Sequence, residues 1–185
     1  MTATSPADLD SLRTAHLRDG GKRALSGMLL LENDARALAA IDPRKSEWIR
    51  LNAMIDQYVG TMRAELGEVR QARAPLERSV LQLDQLYERN RLDRRVASDL
   101  ARSLIERAQL AAAEGNRKAM LADCTRAANL IPPVARNGVD HRMLDPWARS
   151  QACLGNAAAA GAARATLSRI GYQDLSYLRY MTNKN

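Results

Sequence analysis

The chain has 185 residues, enough for one substantial core, and its 46% hydrophobic content is carried largely by alanine and leucine, with no phenylalanine at all. That usage excludes a β-rich fold, and the lack of eighteen consecutive apolar residues excludes a membrane-spanning helix. Twenty-eight basic residues against twenty-one acidic ones leave +7, yet the arginines alternate with acids, as in "RAELGEVRQARAPLERS", which reads as solvated helix faces.

Taken in order, the chain is predicted to be helical throughout. Asp8 to about Leu17 is a short amphipathic segment stopped by Gly20 and Gly21, and Lys22 to Ile41 is a longer one ended by Pro43. Ser46 is placed as an N-cap, followed by Trp48, Leu51, Ile55, Tyr58, Val59, Met62 and Leu66 at helical spacing up to Gly67. A partner helix carries Leu76, Val80, Leu83 and Leu86, with Pro75 in its first turn. A second pair runs from Leu92 to Gly115 and on to Pro132 and Pro133. A third begins near Met143, turns at Gly155 and reaches Gly171, and the closing segment is "YQDLSYLRYM". The chain is thus expected to be a single all-α domain over 1–185. Its parts are an N-terminal hairpin at 5–43, pairs at 46–91, 92–133 and 140–171, and a cap at 172–182.

Gly67, Gly115 and Gly155 stand at the three turns. Seven residues before them come Gly60, Ala108 and Ala148; five after come Ala72, Met120 and Ala160; nine after come Leu76, Cys124 and Arg164. Small groups before a turn let antiparallel helices approach, and apolar groups after it fill the space between them.

This pattern resembles a tetratricopeptide repeat array, whose units carry W-x2-L-G-x2-Y, then A-x3-F, then P. Val59 and Gly60 match the L-G pair, Ala72 with Leu76 and Met120 with Cys124 the A-x3-F step, and Pro132 the closing proline. The turn glycines are more widely spaced than the usual repeat of about 34 residues. "HRMLDPWARSQACLGN" and the alanine-rich stretch after it resemble the C-terminal repeat regions of large bacterial signalling proteins, among them serine/threonine kinases and nucleotide-cyclase-like proteins. The resemblance implies a helix-hairpin array in which Pro146 opens a helix and Trp147 covers the end of the stack.

Chemistry-bearing motifs are few. His16 and His141 are isolated, and Cys124 and Cys153 lack metal-ligand spacing; no cofactor or metal is expected. "DGGKRALS" lacks the first glycine and the hydroxyl residue of a phosphate loop, and "RRVASDLARS" lies inside a predicted helix. In the repeat register Cys124 points into its own pair and Cys153 to the concave side, so both thiols are expected to be free. "MTATSPADLD" has neither the basic start nor the apolar core of a signal peptide. The compartment is read as the cytoplasm, or the periplasm for a piece of a membrane-anchored parent.

Three function classes follow. The leading one is a non-catalytic protein-interaction scaffold that binds a protein or peptide on the first helix of each pair, through Gln57, Thr61, Glu65, Arg102, Gln109, Arg142 and Arg149. Its arginines suit an acidic partner. The alternatives are a basic helical nucleic-acid binder, for which stacking aromatics are too few, and an all-helical enzyme with an unrecognised site.

Overall fold

A computed structural model describes residue 11, residues 21–136 and residues 138–182. The predicted helix from Asp8 to Leu17, and His16 with it, lie outside the described residues, Ser11 apart. Within them the chain is all-helical, with no strand. The helices divide between Asn90 and Arg91 into two compact units.

Unit 1 holds α1 (Lys22–Ile41), α2 (Ser46–Glu65) and α3 (Val69–Arg89), with α2 packed against both others. Its core gathers Leu25, Met28, Ala35, Ile55, Tyr58, Val59 and Met62, covered by Leu29, Leu31, Leu51 and Leu66. Each large aliphatic side chain buried there contributes about 1.5–3 kcal/mol. Helices α2 and α3 approach closely at Gly60. A Cβ on that residue would lie 2.5 Å from Leu76 Cγ and 3.1 Å from the Ala72 carbonyl, so hydrogen is the only side chain that fits without repacking.

Unit 2 holds α4 (Arg94–Ala113), α5 (Arg117–Leu130), the single turn α6 (Pro133–Arg136), α7 (His141–Cys153), α8 (Ala157–Arg169) and α9 (Leu175–Thr182). Helix α4 pairs with α5 and α7 with α8, while α7 also packs against α4, α5, α6 and α9. Leu100, Leu104, Ile105, Ile131, Met143, Leu144 and Leu167 are fully buried between them.

The glycine turns share one geometry. Gly67, Gly115, Gly155 and Gly171 all have φ between 71° and 80°, where side chains other than hydrogen are strained. In each case the glycine N–H donates to the carbonyl three residues back, and the next N–H to the carbonyl four before the glycine, as in Gly115 to Ala112 and Asn116 to Ala111. These paired bonds satisfy carbonyls that a helix end leaves open. Asn116 and Asn156 then cap α5 and α8 by accepting from Ala119 N–H at 3.1 Å and Ala159 N–H at 3.3 Å.

Several local expectations are corrected. The cap of α2 is Lys45, with no side-chain bond, and Ser46 is already helical. Pro75 and Pro146 lie inside α3 and α7, not in their first turns. Pro146 cannot donate to the carbonyl four residues back, that of Arg142, and the Ser98 hydroxyl of α4 donates to this carbonyl instead at 2.6 Å. The missing helix bond has become a bond between helices. Trp147 is half-buried with the Arg136 guanidinium of α6 4.4 Å from its ring centroid, a contact that ties it to the α5–α7 connection.

The cysteines are also corrected: Cys124 and Cys153 form a disulfide, their Cα atoms 6.2 Å apart. The reason is the rotation of α7. Asp145, Arg149 and Cys153 recur every fourth residue on one stripe of the helix, and that stripe faces inward, bringing Cys153 to α5.

Candidate functional site

Helix α7 carries an unusual inward face. Asp145 is fully buried, Arg149 is 2% exposed, and both are surrounded by residues of α4 and of the C-terminal segment. Charges are almost never buried this deeply unless paired. The Arg149 guanidinium donates from Nε to Asp145 Oδ1 at 2.6 Å, from Nη1 to Glu106 Oε1 at 2.9 Å and from Nη2 to Ser176 Oγ at 3.1 Å. Arg102 of α4 reaches Asp145 Oδ2 at 3.1 Å, and the Tyr172 hydroxyl donates to the same oxygen at 2.9 Å.

The protonation states follow from this pairing. Burial alone would raise the Asp145 pKa, but Arg149 and Arg102 outweigh it and hold the carboxyl below its usual range. Burial alone would lower that of Arg149, and Asp145 and Glu106 outweigh it upward. Burial first, then the Asp145 charge, pushes the Tyr172 phenol up. The cluster sets Arg102 and Arg149 against Asp145 and Glu106, with the charge of Asp174 in the C-terminal segment acting on it as well.

Beside it lies a cavity of about 180 Å3 lined by Ala108, Gln109, Ala112, Met120, Cys153 and Tyr180. Its wall is apolar apart from Gln109 and the Tyr180 hydroxyl, and that hydroxyl donates to the Arg149 carbonyl at 3.2 Å. Gln109 is exposed at this cavity and donates to Glu106 Oε2 at 2.9 Å.

Unit 1 has its own polar cluster. Asp56 is fully buried and Glu32 is 6% exposed. Arg78 Nη2 donates to Asp56 Oδ1 at 2.6 Å and to Glu32 Oε1 at 2.8 Å, while Arg36 pairs with Glu32. Burial pushes the Asp56 carboxyl up to about 6 against the pull of Arg78, assisted by the hydrogen bond its protonated form donates to Glu32 and by the Glu32 charge.

The seven residues expected on a partner face separate into three groups. Gln57 is buried and Thr61 half-buried in unit 1, with the Thr61 hydroxyl inaccessible; Glu65 is exposed at the end of α2. Arg102, Gln109 and Arg149 come together around Glu106 and Asp145, but Arg149 is sealed inside rather than displayed. Arg142 is exposed at the start of α7, 3.6 Å from Asp140. Glu106, Asp145, Tyr172 and Ser176 were not among the expected residues. The signal for one of them was present, since Asp145 and Arg149 are four apart on one helix, the spacing of an intrahelical ion pair.

Among the described residues no cluster of histidine, cysteine or carboxylate side chains could hold a metal, and no helix is long and apolar enough to cross a membrane. Comparison with protein-family models finds no match, and neither curated proteins nor solved structures provide one.

Proposed function

We propose that the chain is a non-catalytic scaffold of tetratricopeptide-like helix hairpins that binds a protein or peptide segment on the α4 and α7 side of unit 2. The observation that carries this reading is the cavity at Gln109, a small apolar recess where α4, α5, the end of α7 and α9 meet, with polar groups at its edge. Such a recess suits one aliphatic or aromatic anchor of an extended or helical peptide, with Gln109 available to its backbone. The Arg149 charge is spent internally, so of the expected arginines Arg142 is the one placed to meet an acidic residue of the partner. Recognition by shape then outweighs recognition by charge, and affinity should fall little with salt.

The reading is tested by selecting peptides from a displayed random library on the immobilised chain, with an Ala112→Leu variant as counter-selection. Ala112 is exposed at the cavity, and the added methyl groups fill it from the rim without touching the core. Enriched peptides should share an apolar anchor and lose binding to the folded variant. Enrichment that the variant retains would place the binding face elsewhere.

The disulfide supports a second statement, on location. A bridge between helices of two hairpins persists in an oxidising compartment, which favours the periplasmic reading over the cytoplasmic one. Cell fractionation with thiol trapping checks it: finding the natural protein fully reduced would reverse it.

A further inference from the structure

The two halves of the Cys124–Cys153 bridge are not equally sheltered. Cys124 lies in α5 with no exposed surface, whereas Cys153, the last residue of α7, is half-buried and lines the cavity at Gln109. A disulfide is opened by a thiolate that attacks one of its sulfurs, and access decides which one. We propose that Cys153 is a thiol-modification site: a small aliphatic monothiol enters through the cavity, bonds to Cys153 and displaces Cys124. The entering thiol gives up its proton, and its thiolate forms a new S–S bond with the Cys153 sulfur. The old S–S bond breaks, and Cys124 leaves with the bonding electron pair and takes up a proton. One disulfide replaces another, so no oxidant is consumed. Attack by Cys124 on the Cys153 sulfur reverses the step and ejects the thiol, while a second molecule of thiol attacking the first releases both as a disulfide and leaves the two cysteines reduced.

Three features separate this bridge from one sealed in a core. The cavity holds about 180 Å3, more than the roughly 150 Å3 apolar cavity that accepts benzene, so the arm of a short thiol fits against Ala108, Ala112 and Met120. The end of α7 is also open, since a Cβ on Gly155, two residues after Cys153, would meet nothing within 4 Å. Finally, α7 keeps its seat without the bridge. Arg149 donates to Glu106 of α4 at 2.9 Å, the Ser98 hydroxyl of α4 donates to the Arg142 carbonyl at 2.6 Å, and α5 packs against α7. Opening the bridge therefore weakens unit 2 and leaves a folded acceptor for the thiol. The adduct fills the recess proposed for a partner's anchor, so modification would expel the partner. That consequence alone rests on the scaffold reading, whereas the exchange chemistry is measured without a partner.

The probe is 2-mercaptoethanol added to the folded, oxidised full chain. Samples are quenched in acid, free thiols are blocked in denaturant, and the adduct is located by mass spectrometry of unreduced peptides. At early times the hydroxyethyl group should lie on Cys153 at least tenfold more often than on Cys124. Ala112→Leu, which fills the cavity and leaves the bridge intact, should slow adduct formation at least tenfold. Single-cysteine variants read the same asymmetry: with 2-hydroxyethyl disulfide, the Cys153 thiol of Cys124→Ala should be modified at least tenfold faster than the Cys124 thiol of Cys153→Ala. Adducts shared equally by the two cysteines or found mainly on Cys124, an unchanged rate in folded Ala112→Leu, or bridge opening no faster than global unfolding would each overturn the inference. Should a variant not fold, the position of the adduct and its rate against unfolding, both read on the chain without substitutions, decide the matter. Failure of the library selection leaves the modification site standing, and selected peptides that still bind when Cys153 carries the adduct would remove the competition alone.

Discussion

Each unit buries a carboxylate beside an arginine, and the two carboxylates respond in opposite directions. Asp145 of unit 2 is held below the usual range, whereas Asp56 of unit 1 is pushed up to about 6. The difference lies in the cations. Asp145 shares Arg149 and Arg102, whose side chains are 3% and 19% exposed, while Asp56 faces the more open Arg78, 38% exposed, and a second carboxyl, Glu32, to which it is hydrogen-bonded. A buried acid stays ionised when sheltered cations match the negative charge around it, and takes up a proton when another carboxyl competes for a solvated one. The chain has two tryptophans, Trp48 in α2 and Trp147 in α7, so single-tryptophan variants report the two units separately.

Removing the central cation breaks the comparison most severely. Arg149→Met leaves Asp145 and Glu106 buried together, and the loss should be about 3–5 kcal/mol, seen as early unfolding of the Trp147 signal with the Trp48 signal unmoved. Reduction of the Cys124–Cys153 bridge comes next. It returns conformational freedom to the unfolded state across a separation of 29 residues and should cost unit 2 about 2–4 kcal/mol, again read at Trp147.

Acidification sharpens the contrast on the unit 1 side. Between pH 3.8 and about 6 the folded chain keeps a proton on Asp56 that the unfolded chain releases. The stability from this group is complete below pH 3.8 and is lost as pH rises through 6, a gain at low pH of at most about 3 kcal/mol. Asp56→Asn should abolish this pH dependence of the Trp48 transition. Unit 2 behaves oppositely, since Asp145 stabilises in its charged form and loses that contribution as pH falls through its depressed pKa. The smallest effect is steric: in Gly60→Ala, overpacking against Leu76 costs about 1–3 kcal/mol, offset by up to about 1 kcal/mol of helix propensity, so the Trp48 transition should fall modestly.

The sequence made the helices and their turns legible because glycine and proline act locally. Gly67, Gly115 and Gly155 mark turns that need positive φ, and the small residues Gly60, Ala108 and Ala148 before them are all buried or in close helix contact. The inward face of α7 was not legible. Arg149 reads as a residue displayed to a partner and Asp145 draws no role, because hydropathy ranks residues one at a time and burial here depends on partners up to 43 residues away, such as Glu106. That misplaced face also hid the disulfide, since Cys153 shares the stripe of Arg149. Pro146 failed for a similar reason: its interior position is tolerated through Ser98, a residue of another helix.

The contrast between the two buried carboxyl groups is read most simply by carbon-13 NMR of the aspartate side chains in the folded full chain as pH is lowered. Asp56 should take up its proton near pH 6, while Asp145, held by Arg149 and Arg102, should stay ionised below the usual carboxylate range. Both groups titrating together at the ordinary aspartate value would contradict the assignment of one protonated and one ion-paired acid.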